Sequence, residues 1–111
     1  MRHCITVPLE RHTDLSGSFQ TEPYECGWAA EALFFVRIQQ QRGQDARMSA
    51  RVQVSADGIH WMDEGTGFRP LSGEGDYFVR VSHFGGWLRL AGQVEGPEAE
   101  MNVMIHLVLK S

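Results

Sequence analysis

Arg47-Met48-Ser49-Ala50-Arg51-Val52-Gln53-Val54-Ser55-Ala56-Asp57-Gly58-Ile59-His60-Trp61 decides the fold class of this chain. Met48, Ala50, Val52, Val54 and Ala56 alternate with Arg47, Ser49, Arg51, Gln53 and Ser55, the period of two that marks a strand with one dry and one wet face. Asp57-Gly58 tolerates positive φ and suits a tight hairpin turn. With those two residues as the turn, Ala56 is expected opposite Ile59, Ser55 opposite His60 and Val54 opposite Trp61. Ile59 and Trp61 then fall on the apolar face. Both arms agree on one register, so a β-hairpin is expected here.

Working outward, the same alternation recurs. Ile5, Val7 and Leu9 alternate with Cys4, Thr6 and Pro8, and Pro8 favours a strand edge or end. Asp14, Ser16, Gly17 and Ser18 make Thr13–Ser18 turn-like, and Pro23 interrupts an irregular extended piece from Phe19 to Cys26. The opening of the Trp28–Gln41 segment, Trp-Ala-Ala-Glu-Ala-Leu-Phe-Phe, has helix-favouring composition. Ala30, Ala32, Phe34, Val36 and Ile38 nevertheless alternate, and no helix cap closes the run, so a strand is expected. Arg42–Ala46 reads as a polar loop. Residues 64–68 and 72–76 read as two glycine-rich turns around a short piece at Phe68–Leu71. Tyr77, Val79 and Val81 alternate with Phe78, Arg80 and Ser82; Gly85-Gly86 breaks that strand, and Trp87–Val94 resumes with Leu88, Leu90 and Val94 on one face. Glu95–Glu100 is an acidic turn around Gly96-Pro97, and Met101–Lys110 closes the chain. About eight strands with turns between them predict a single all-β domain over residues 1–111, an antiparallel β-sandwich of jelly-roll or Greek-key topology.

At 111 residues the chain is long enough to bury a core without metal or disulfide staples. Ten Lys and Arg against fourteen Asp and Glu give a net charge of −4, which provides no basic face for phosphates, so no nucleic-acid partner is expected. No run approaches the roughly 20 apolar residues of a membrane helix. Met1–Glu10 lacks a signal-peptide h-region; the expected location is the cytoplasm or a virion-like assembly. Cys4 and Cys26 are expected as reduced thiols rather than a bridge.

Ser55, Asp57, Gly58 and Trp61 follow a Ser-x-Asp-Gly-x-x-Trp pattern, and Tyr77–Val81 reads Tyr-Phe-Val-Arg-Val. Together they resemble the hairpin and the aromatic-Val-Arg strand of discoidin-like (coagulation factor 5/8 type C) jelly-roll domains. Similar hairpins recur in small sandwich modules of bacteria and of phage virions. The resemblance implies a jelly-roll sandwich in which Ser55, Asp57, Gly58, Trp61 and Arg80 are scaffold positions. Secreted members are longer, often carry a disulfide between their ends, and bind glycans or lipids through loops; no binding-loop motif carries over to this chain.

Motifs for chemistry are sparse. His3, His12, His60, His83 and His106 are widely separated without metal-ligand spacing, so neither metal nor cofactor is expected. No Gly-x-Ser-x-Gly elbow surrounds any serine, Cys26 has no evident base beside it, and Asp63-Glu64, Glu74 with Asp76, and Glu95–Glu100 all fall in turns. The chain is therefore not expected to be an enzyme. Two features point instead to contacts. The last strand places Met101, Val103, Ile105, Leu107 and Leu109 on one face, yet its second face, carrying Met104, His106 and Val108 between Asn102 and Lys110, is half apolar. Leu33 and Phe35 likewise fall on the wet face of their strand. Burial under a loop explains such a face, and so does a contact with another copy of the protein. The second feature is Phe84-Gly85-Gly86-Trp87, where Phe84 and Trp87, with Trp28, are either core rings or a contact platform. The expected function is a non-enzymatic structural or assembly module, forming a homo-oligomer (a trimer among the options) or decorating a larger assembly of other protein subunits. The alternative is a carbohydrate-binding module that stacks a glycan on Trp28, Trp87 or Tyr77.

Overall fold

The computed structural model describes residues 3–82 and 84–111. Nine strands follow one another: β1 (Cys4–Leu15), β2 (Gly17–Gln20), β3 (Tyr24–Glu25), β4 (Glu31–Arg42), β5 (Arg47–Ser55), β6 (Met62–Leu71), β7 (Gly75–Ser82), β8 (Trp87–Glu95) and β9 (Glu100–Lys110). They form two antiparallel sheets. Sheet I has the order β1-β9-β4-β7, and sheet II has β2-β8-β5-β6 with β3 also on β8. β2 and β3 are two pieces of one interrupted strand along β8, since Gln20 pairs with Ala91 and Tyr24 with Leu88. Thr21 bridges the break: its N–H donates to the Leu90 carbonyl at 2.9 Å, and its buried hydroxyl accepts the Leu90 N–H at 2.9 Å. The expected count of eight and the observed nine therefore describe the same sandwich.

The pairing is nested. Cys4 pairs with Lys110, Gly17 with Val94, Glu31 with Ser82 and Val54 with Met62, each pair centred near the loop that carries Asp57. The chain is one long hairpin rolled up so that successive pairs alternate between the sheets, which is the jelly roll expected from the strand pattern. Inward-facing residues fill the space between sheets: Phe34, Val36 and Ile38 from β4, Met48 and Val52 from β5, Leu88 and Leu90 from β8, and Met101, Val103, Ile105, Leu107 and Leu109 from β9, all at most 2% exposed. β4 confirms that alternation outweighs helix propensity when the alternate residues enter a core.

The local register at Asp57-Gly58 differs from expectation. Val54 pairs with Met62, not Trp61, and six residues, Ala56 to Trp61, form the loop. The Asp57 carboxylate explains the longer loop. It accepts the backbone N–H groups of Ile59 and His60 at 2.8 Å each and the Ser55 hydroxyl at 2.9 Å, while the Ser55 Oγ accepts the Gly58 N–H at 2.8 Å. Side chains thus supply the bonds that a two-residue turn would take from the opposite strand. Ile59 consequently projects into solvent, 75% exposed, rather than joining the core. Two other expected turns are strand: β1 continues to Leu15, and β6 runs through residues 64–68 as a bulged strand. There the pairing jumps from Arg51–Gly67 to Gln53–Asp63, and Gly65, at φ +113°, lets the extra residues bulge out.

Candidate functional site

The outer face of sheet I is built by register. Thr6, Val108, Leu33 and Arg80 lie in one row across its four strands, and Pro8, His106, Phe35 and Phe78 lie in the next. Met104, Arg37 and Asp76 continue the pattern on the third row, and Lys110, Glu31 and Ser82 close the opposite end. Phe35 and Phe78 are stacked, with ring centroids 5.6 Å apart, and are 38% and 49% exposed. Met104, His106 and Val108 are half-buried beside them. A depression of about 300 Å³ runs among Thr6, Phe35, Arg37, Met104, His106 and Val108. An ion pair edges it, where the Arg37 Nε donates to Asp76 at 2.6 Å, an interaction that raises the guanidinium pKa; elsewhere on the face the Arg80 guanidinium lies 5.4 Å from the Phe78 ring centroid.

Sheet II presents a different outer face. Arg51 Nε and the Gln53 amide both donate to the Asp63 carboxylate at 3.0 Å, the Arg89 Nε donates to Gln53 Oε1 at 2.7 Å, and the Arg89 guanidinium lies 4.3 Å from the Trp61 ring centroid. The Gln53 amide and then Arg51 hold the Asp63 carboxyl below its ordinary range. Those polar groups bond one another along a wetted surface. The asymmetry is informative: a free sandwich is expected to wet both outer faces, and here one of them carries a contiguous apolar patch.

The remaining candidates lie at the end of the sandwich where β4 and β8 begin. Trp28 stands in the loop before β4 and is 42% exposed. Phe84 is half-buried against the core, and Trp87 is half-buried at the start of β8, under the loop that carries Asp57; a side chain at Gly58 would sit 3.2 Å from its ring. Both rings are thus partly covered by the fold, and Trp28 is the most open of the three. Tyr77 belongs to the other end, with its hydroxyl directed at the Ser72 and Gly73 carbonyls. Gly86, at φ +77°, accepts at its carbonyl both the Cys26 N–H (2.8 Å) and the Cys26 thiol (3.3 Å). Burial first, and the nearby Glu25 second, push the Cys26 thiol up to about 11. Cys4 is exposed, and both cysteines are free thiols. His3, His12 and His60 are exposed and apart from half-buried His106, while His83 lies outside the described residues. The His60 ring pairs with Asp57 at 2.7 Å. The His60 N–H and ring, with Ile59 and Ser55, hold the Asp57 carboxyl far below the ordinary carboxylate range.

Sequence patterning found Leu33, Phe35, Met104, His106 and Val108, and the fold brings them onto one face. It missed Phe78, whose signal was an aromatic ring at a wet position two residues before Arg80. It also missed Pro8, which looked only like a strand-edge residue.

No family model and no curated protein matches the chain. Among solved structures it is similar to a chain in the structure of infectious bursal disease virus Gx strain, with a TM-score of 0.59 and 10% identity over 98% of this chain. The match spans 32% of that viral chain, about a third of its length. The crystal structure of FLHE matches at a TM-score of 0.42 and 12% identity, covering 99% of this chain and 95% of that one. Dimeric latent PorU from Porphyromonas gingivalis matches at 0.35 and 13% identity, covering 99% of this chain and 10% of that one. At such identity the viral match bears on the fold alone, an all-β sandwich. Among the described residues no helix is long and apolar enough to cross a membrane.

Proposed function

We propose that this chain is a non-enzymatic assembly module, whose working surface is the outer face of sheet I. One observation carries the reading: Phe35 and Phe78 stack in the open, flanked by Met104, His106 and Val108, on a sheet whose other face already holds the core. Covering that patch with protein removes apolar surface from water at roughly 25 cal/mol per Å². The similarity to a chain of a virus structure supports an assembly role in a virion-like setting, because the shared architecture there belongs to a particle. The discoidin-like resemblance contributes the scaffold of the Asp57 loop and no ligand site.

Light scattering of the pure protein tests the reading. The wild type is expected to exceed its monomer mass, and Val108→Glu, beside Leu33 on this face, to return it to monomer with the far-UV spectrum unchanged. A glutamate variant that assembles like the wild type would remove the face from consideration. A second reading, a carbohydrate-binding module, rests on the open Trp28 ring. Its test is Trp28→Ala against a glycan array: loss of a wild-type signal supports it, and no wild-type signal refutes it.

A further inference from the structure

We infer that the occupant of this face is a second copy of the chain, stacked sheet on sheet about a two-fold axis that runs parallel to β4 and β9, midway between them. This rests on the assembly reading above and specifies its partner and geometry. Rotation about such an axis lays β9 of one copy over β4 of the other while keeping each row in place. A residue of β9 therefore faces the partner's version of its own neighbour on β4, and the reverse holds at the same time.

The registered neighbours suit that operation. Lys110 pairs with Glu31, Val108 with Leu33, His106 with Phe35 and Met104 with Arg37. Across the axis Lys110 meets a glutamate, Val108 meets a leucine, His106 meets a phenylalanine ring, and Met104 lies on an arginine stem. On the flanking strands Pro8 of β1 comes over Phe78 of β7, because the two share a row. Glu31 and Lys110 are exposed, and neither forms an ion pair among the described residues, so both charges are available to a partner. The perpendicular in-plane axis fits worse: centred on Phe35, it sets the Arg37 charge on Leu33. From strand spacing and rise, the four rows cover roughly 20 Å by 20 Å, about 400 Å² on each copy, which is the size of a weak, reversible contact rather than a permanent one. A weak dimer, with a dissociation constant on the order of tens of micromolar, is expected.

Trans-complementation is the test. Glu31→Lys carries two lysines at this end of the face, and Lys110→Glu carries two glutamates. Each alone is expected to dimerise at least tenfold more weakly than the wild type. Their equimolar mixture is expected to form a heterodimer by native mass spectrometry within about threefold of wild-type affinity. Charge effects inside one chain cannot produce that recovery, and thermal melts confirm that each variant is folded. If a charge reversal unfolds the subunit, Leu33→Lys mixed with Val108→Glu poses the same question, with heterodimer expected and neither homodimer. Variants that weaken alone but stay monomeric when mixed would overturn this axis and leave the face as an assembly surface, provided Val108→Glu is monomeric at concentrations where the wild type associates. A wild type that stays monomeric overturns the second copy as occupant and leaves only a different subunit for the face.

Discussion

Replacing Phe35 by threonine separates two roles that one ring performs. Threonine, like phenylalanine, is a residue that strands favour, so the backbone of β4 has no reason to change. In the subunit the ring is 38% exposed and stacks on Phe78. Losing that stack and the covered part of the ring, less what the threonine methyl still covers, costs the monomer about 3 kcal/mol, the upper end of the usual range of single substitutions. For assembly, a side chain of roughly 200 Å² leaves about 75 Å² of ring in water. At about 25 cal/mol per Å², covering it contributes about 2 kcal/mol. A symmetric pair loses that twice, about 4 kcal/mol, or roughly several hundredfold in the dissociation constant. Urea titration reads the first quantity at low concentration, and sedimentation equilibrium reads the second. Leu107→Ala, on the inner face of the adjoining strand and fully buried, should reverse the balance: a loss of about 2–5 kcal/mol in the subunit, with little change in association once corrected for unfolding. A Phe35→Thr protein that unfolds more readily yet associates within threefold of wild type would refute the separation.

Three further outcomes probe the scaffold. Gly92→Ala should cost about 1–3 kcal/mol in urea unfolding, because a Cβ there lies 2.8 Å from the Ala50 Cα and closer still to the Ser49 carbonyl, both of them backbone that cannot turn aside. A disulfide-exchange reagent at pH 8 should label Cys4 within minutes and Cys26 only on unfolding, since Cys26 is buried and its thiol sits at about 11; equal rates at the two sites would contradict the packing against Gly86. For Asp57→Asn the sign follows from the lowered carboxyl of Asp57 in the fold. The carboxylate contributes stability above the unfolded pKa, near 4, and loses that contribution as pH falls toward the folded value. The gap between wild type and variant should therefore be widest at neutral pH and narrow steadily below about pH 4, as read by denaturant midpoints; a gap independent of pH would place the loop's closure elsewhere.

The sheets were legible because alternation is a direct record of burial. β4, β5, β7, β8 and β9 each place their apolar set on the inner face, and β9 and β4 also betrayed the second apolar face through Met104, Val108, Leu33 and Phe35. The turns were less legible, because their geometry depends on where side-chain oxygens point. Asp57 and Ser55 close a six-residue loop by accepting backbone N–H groups, a choice that Asp-Gly read as a dipeptide does not reveal. The bulge at Gly65 misleads for a related reason: glycine in a strand and glycine in a turn look alike until the partner strand is known. The candidate face depends on long-range register. Phe78 reaches Phe35 only because β7 pairs with β4, and no local pattern encodes that neighbour.

Sedimentation velocity of the wild type over a series from about 1 µM to several hundred µM bears most directly on the exposed face of sheet I. That range brackets the dissociation constant, on the order of tens of micromolar, expected for an interface of this size. The expected result is a boundary that moves from the mass of one 12.5 kDa chain to that of two as concentration rises. A single 12.5 kDa species across the whole series would contradict self-assembly through Phe35, Phe78 and their neighbours.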